Sequence, residues 1–163
     1  MEIFGAEAKG NEVLGNFIGT NVGGAADLGN SGFGVFINAP GNFISATASG
    51  EGNTIAFNGQ EAVVIAGVAA TGNRILDNSI FSNGGQGIDF VGGTENAAGA
   101  TQNDAKDPDT GPNTLHNKPV LDSATTSGGS TIIEGRLNST PNRSYHHPVL
   151  LQPLWQRGQD VHP

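Results

Sequence analysis

A chain of 163 residues with 26 Gly, 17 Asn, no Cys and a net charge of −8 has room for one domain with a modest core and no means of disulfide or thiolate chemistry. Its seven Lys and Arg are spread thinly and form no basic patch, which argues against nucleic acid or anionic lipid as a partner. No apolar run approaches the roughly 18 residues that a membrane span requires, and Met1-Glu2-Ile3-Phe4-Gly5 lacks the basic and apolar organisation of a signal peptide.

Hydrophobic residues make up 36% of the chain and aromatics 6%. That is thin for a bulky core, but adequate where small and β-branched side chains stack in a regular array. Gly and Asn tolerate positive φ, so the composition describes a chain that turns constantly. Taken in order, Met1 to Gly5 already reads as part of a repeat, as though the chain opened inside an array whose earlier rungs are missing. An apolar-x-x-Asn spacing follows at Val13/Asn16, Ile18/Asn21, Ile55/Asn58, Ile75/Asn78 and Ile80/Asn83, with Gly-Asn pairs at Gly10, Gly29, Gly41, Gly52 and Gly72.

Two copies align most fully. Gly52-Asn53, Ile55, Asn58 and Val63-Val64-Ile65 form one; Gly72-Asn73, Ile75, Asn78 and Ile88-Asp89-Phe90 form the other. Asn53 and Asn73 are 20 residues apart, while the triplets beginning at Val35, Val63 and Ile88 are 28 and 25 apart. Periods in this range mark a solenoid, in which each coil buries its apolar face only against its neighbours. Few Leu stand in the repeats, against a leucine-rich array, and Gly, Asn and Thr interrupt any helix every few residues. Short strands with alternating inward and outward positions remain, and the expected fold is all-β: a single-stranded parallel β-helix.

The runs GNFIGTNVGGAADLGNSGFGVFI, GVAATGNRILDNSIFSNGGQGIDF and NDAKDPDTGPNTLHNKPVL resemble the right-handed parallel β-helix repeat proteins of bacterial secreted and cell-surface polypeptides, in the pectin-lyase-like superfamily. The resemblance extends over about residues 1–142. It implies a right-handed solenoid with strands stacked about 4.8 Å apart, and inward Asn side chains bonded to counterparts in adjacent coils. Asn16, Asn58 and Asn78 are the candidates for that ladder. It also implies a parent protein that is secreted or on the cell surface.

The expected division is coils over 1–91, a polar acidic loop over 92–118, the opening strands of a truncated β-sandwich-like unit over 119–145, and an aberrant tail over 146–163. Pro119-Val120-Leu121 and Thr131 to Leu137 carry the strand pattern, separated by the turn at Thr125 to Ser130. The tail holds the only Trp and three of the four His. Its codons can be chosen so that deleting one base after Tyr145 restores a strand and turn of the expected kind, which reads His146, His147, Trp155 and His162 as out of frame. A divergent natural tail is the alternative.

Carbohydrate-active β-helices set carboxylates on an outer strand face, where coil spacing of about 4.8 Å approaches the separation that glycoside hydrolysis uses. The outward positions of the aligned triplets are Glu2, Phe36, Val64 and Asp89, with no stacked pair of carboxylates. A second column, Gly15, Phe57 and Asp77, again holds one. Asp77 and Asp89 are therefore the catalytic candidates, with a solvated carboxylate as the alternative for each and a cap on the last coil as a further one for Asp89. Glu51 and Glu61 read as turn residues, and His116 as structural.

Asn103 to Gly111 places Asp104, Asp107 and Asp109 at spacing suited to a hard cation such as Ca²⁺, or to a turn-forming loop whose Asp and Asn side chains cap their own backbone. Two functional classes stand. One is a carbohydrate-associated protein that binds or hydrolyses an extended polysaccharide. The other is a non-catalytic structural or adhesive stalk. Self-association through an uncapped end of the solenoid, near Phe4, Phe17 and Ile18, is expected with either.

Overall fold

A computed structural model describes residues 1–44, 52–97 and 99–145 of the chain; Glu51 and the tail from His146 lie outside the described residues. Ten short strands come first: β1 (Glu2–Phe4), β2 (Glu12–Val13), β3 (Phe17–Ile18), β4 (Val35–Asn38), β5 (Phe43–Ile44), β6 (Thr54–Ala56), β7 (Val63–Ala66), β8 (Arg74–Ile75), β9 (Ser79–Phe81) and β10 (Ile88–Val91). Every third strand returns to the same sheet. The sheets run β1-β4-β7-β10, β2-β5-β8 and β3-β6-β9, and all their pairings are parallel. This stacked, parallel all-β arrangement is compatible with a β-helix.

Register explains the apolar pattern. Val35, Val63 and Ile88 stand opposite one another, as do Ile3, Ile37, Ile65 and Phe90. Val13, Ile44 and Ile75 line the second sheet, and Ile18, Ile55 and Ile80 the third. These residues form one core cluster, with Ile18, Ile88 and Phe90 packed against it. Each wholly buried Ile, such as Ile37, Ile44, Ile55 or Ile65, contributes about 1.5–3 kcal/mol over leaving it in water.

Asn columns hold the corners. Before the second sheet, the Asn11 side chain donates to Asn42 Oδ1 at 2.8 Å and Asn42 Nδ2 to Asn73 Oδ1 at 3.3 Å. Before the third, Asn16 donates to Asn53 and Asn53 to Asn78. A third column runs Asn30, Asn58, Asn83. In each, one carbonyl oxygen also accepts the backbone N–H of the Asn above, which satisfies polar groups that the corners would otherwise bury unpaired.

Two sequence alignments shift in consequence. Asn53 stacks on Asn78, 25 residues on, and Asn73 beneath Asn42, 31 residues back; the 20-residue interval from Asn53 to Asn73 links neighbouring corners of successive coils. The Asn-x-(Val/Ile) unit recurs at two corners of every coil, so a sequence comparison can pair the wrong two. Asn58 likewise belongs to a different column from Asn16 and Asn78.

Beyond β10 the chain returns to pack against β7 and β10. A turn at Pro112–Leu115, with Asn113, Thr114 and Leu115 at positive φ, presents Asn113, whose Oδ1 accepts the Asn73 N–H at 2.9 Å and whose Nδ2 donates to the Asn73 carbonyl at 2.8 Å. Asn113 is thus the next rung of the first column. Leu115 is buried. The segment 119–145, where two opening strands were expected on either side of a turn at Thr125 to Ser130, forms an antiparallel hairpin of β11 (Val120–Ser127) and β12 (Ser130–Arg136).

Candidate functional site

β10 carries the site because its alternation is fixed by the core. Ile88 and Phe90 face inward beneath Val63 and Ile65, which leaves Asp89 outward beneath Val64. The outward row is Glu2, Phe36, Val64 and Asp89, the register anticipated from the triplets. It is not an open track along its whole length, because Val64 is only 1% exposed.

Segments 100–103 and 115–118 return beside β10, and a half-open pocket of about 230 Å³ lies between them. Asp89, Gln86, Asn103 and Lys118 supply its polar groups, and Phe90 and Leu115 part of its apolar wall. The flanking loop is tied down. The Thr101 hydroxyl is within hydrogen-bond distance of the Phe90 and Gly92 carbonyls, at 3.1 and 3.0 Å, and Lys118 Nζ donates to the Thr101 carbonyl at 2.9 Å. Asn103 and Lys118 exchange two bonds, one from each, at 2.8 and 3.0 Å. The His116 ring, which also lines the pocket, packs 5.0 Å from that of Phe90 and 6.1 Å from that of Tyr145.

Burial against this wall pushes the Asp89 carboxyl above the usual aspartate range, and the charges of Glu95 and Glu61 push it further, against a hydrogen bond from the Phe90 backbone that favours the ionised form. Asp89 therefore has two carboxylate neighbours. Glu95 escaped the sequence reading because it stands in the polar loop, and Glu61 because it reads as a turn residue. The bridge between Glu95 and Thr101 is the feature that brings the loop back beside β10, and no local pattern announces it.

Asp77 is elsewhere. It is exposed at the corner before Asn78, at φ 54, and its carbonyl oxygen lies 1.9 Å from where a Cβ on Gly52 would stand. The column at this corner is Gly15, Gly52 and Asp77. Phe57 belongs instead with Ser82, whose carbonyl accepts its N–H at 3.1 Å. The two candidate aspartates are thus apart: Asp89 lies in the four-stranded sheet, and Asp77 at the corner between β8 and β9.

The acidic loop serves its own backbone. Asp107 Oδ1 accepts the Asn117 N–H at 3.1 Å, and its Oδ2 the Ser139 hydroxyl. Asn117 is the hub: Nδ2 donates to the Asp104 and Asn138 carbonyls, both at 2.6 Å, and Oδ1 accepts the Asp104 N–H at 3.0 Å. Asp104, Asp107 and Asp109 are not gathered around a common point. Among the described residues no group of three or more His, Asp or Glu side chains has a geometry that could hold a metal ion.

In β1 and β3, Phe4 is 72% exposed and Phe17 44%, whereas Ile18 is half-buried against the core. No helix among the described residues is long and apolar enough to cross a membrane. Comparison with protein-family models, curated proteins and solved structures gives no match.

Proposed function

We propose that this chain is a carbohydrate-associated solenoid of the right-handed, pectin-lyase-like type, from a secreted or cell-surface bacterial protein, and that it binds an extended polysaccharide at the outer face of its last coil. The observation that carries this reading is the setting of Asp89. A carboxyl raised above its ordinary range by burial and by the charges of Glu95 and Glu61, at the mouth of a pocket with an apolar wall and amide groups, suits the part of a glycosidic general acid. In such a role Asp89 protonates the leaving glycosidic oxygen, and Glu61 or Glu95 is the carboxylate that activates water or attacks the sugar.

The competing reading is a non-catalytic stalk. Its support is the row Glu2, Phe36, Val64, Asp89, which holds no carboxylates on adjacent strands and is closed over at Val64. Self-association through the first coil belongs to either reading, with Phe4 and Phe17 as its exposed contacts. A panel of plant and microbial glycans, assayed for reducing ends and for retention in affinity gels with and without chelator, separates the two. Release that disappears in Asp89→Asn supports hydrolysis, retention without release supports a binding module, and neither signal on any glycan leaves the stalk.

A further inference from the structure

The hairpin β11–β12 stands apart from the solenoid. All its residues are exposed except Ile133, which is half-buried, and Leu121 and Ile132 are 62% and 65% exposed. A two-stranded ribbon with neither face covered is marginal in water, so it calls for more strands or a partner.

Its two edges differ. The ladder is broken on β11 by a bulge between Leu121 and Ser123, a device that twists an edge away from pairing. β12 runs without interruption. Gly128 and Gly129 both have positive φ, 59 and 80, as a two-residue type I′ turn requires, and this makes Ser127 and Ser130 a hydrogen-bonded pair. By alternation, Thr131, Ile133 and Gly135 turn their N–H and C=O groups to the edge that no other strand among the described residues pairs with.

We infer that β12 pairs along this edge, antiparallel, with β12 of a second copy of the chain, in the register that sets Glu134 of each copy opposite Arg136 of the other. Two-fold symmetry allows only a few registers, and charge selects among them. Pairing centred on Glu134 puts two like carboxylates face to face, which is destabilising. Pairing centred on Ile133 sets Glu134 against Ile132. Pairing centred on Gly135 sets Glu134 against Arg136 twice, puts Ile133 against Leu137, and lets the strands meet where there is no side chain.

The resulting four-stranded sheet collects Leu121, Ala124 and Ile133 from each copy on one face. Existing contacts do not oppose it. The Arg136 to Asp122 ion pair, at 3.2 Å, is exposed and weak for that reason, and Glu134 accepts only the Ser123 hydroxyl at 2.8 Å.

The test is sedimentation velocity of the full chain over a wide concentration range, for wild type, Glu134→Arg, Arg136→Glu and the double exchange, together with amide exchange at Ile133. Expected are a concentration-dependent dimer, a dissociation constant raised at least about tenfold in each single variant, recovery in the double exchange, and Ile133 protection that grows with dimer. A monomer at every concentration overturns the inference, whether Ile133 exchanges freely or is shielded by another part of its own chain. So does a dimer indifferent to both single reversals, which places association at another surface, such as Phe4 and Phe17.

Discussion

Asn53 donates its side-chain amide to Oδ1 of Asn78 at 2.8 Å and its backbone N–H to the same oxygen at 3.1 Å. Asn53 in turn accepts both groups of Asn16 and gives its second amide proton to the Val13 carbonyl at 2.7 Å. No other side chain of this size offers an acceptor and two donors in one plane. Asn53→Ala leaves several buried partners unsatisfied and should cost about 3 kcal/mol. Asn16→Ala, at the exposed top of the same column, should cost less than about 1 kcal/mol. Urea unfolding of both variants measures the difference.

Gly52 is required by space. A Cβ there would lie 1.9 Å from the Asp77 carbonyl oxygen, backbone that cannot step aside without moving the corner. Gly10 has open space around it and only its positive φ of 71 to defend. Gly52→Ala should therefore destabilise by about 3 kcal/mol or more, and Gly10→Ala by about 1 kcal/mol, as read by thermal or denaturant unfolding.

Asn113 occupies a rung without belonging to a strand. Asn113→Ala removes the partner of the Asn73 N–H and the donor to the Asn73 carbonyl. It should cost about 1–3 kcal/mol and speed amide exchange in 111–118 more than in β4 or β7.

Asp89 sets a pH dependence whose sign is fixed. Its carboxyl is raised by burial and by Glu95 and Glu61, so the folded chain binds its proton more tightly than the unfolded chain does. The stability this supplies is fully present below the ordinary aspartate value of about 4 and is lost as pH rises through the raised value. Asp89→Asn should remove that slope. It should also raise stability at neutral pH, by no more than about 0.5 kcal/mol since much of the group faces water. Unfolding curves of wild type and variant across the acidic range check both.

Much of this fold could be read from the chain. The triplets at Val35, Val63 and Ile88 predicted strand register correctly, because inward and outward positions alternate within each triplet and a slip of one residue would turn the apolar side chains outward. The Asn residues announced a ladder, but Asn53 and Asn73 look alike locally and stand at different corners, so column membership was not legible. The site was half legible. Asp89 followed from the alternation of β10, whereas Glu95, the pocket and the Asn117 hub depend on a long polar loop whose path is set by side-chain to backbone bonds and not by periodicity. Asp104, Asp107 and Asp109 have the spacing of a cation loop, yet Asp107 is engaged by Asn117 and Ser139.

The central claim, that a glycan binds at Asp89, is tested most directly by affinity electrophoresis of wild type and Asp89→Asn through gels carrying individual polysaccharides. The account predicts retardation of the wild type by at least one neutral polymer, and weaker retardation of the variant although its fold is intact by circular dichroism. Equal mobility of both proteins in every gel would contradict it.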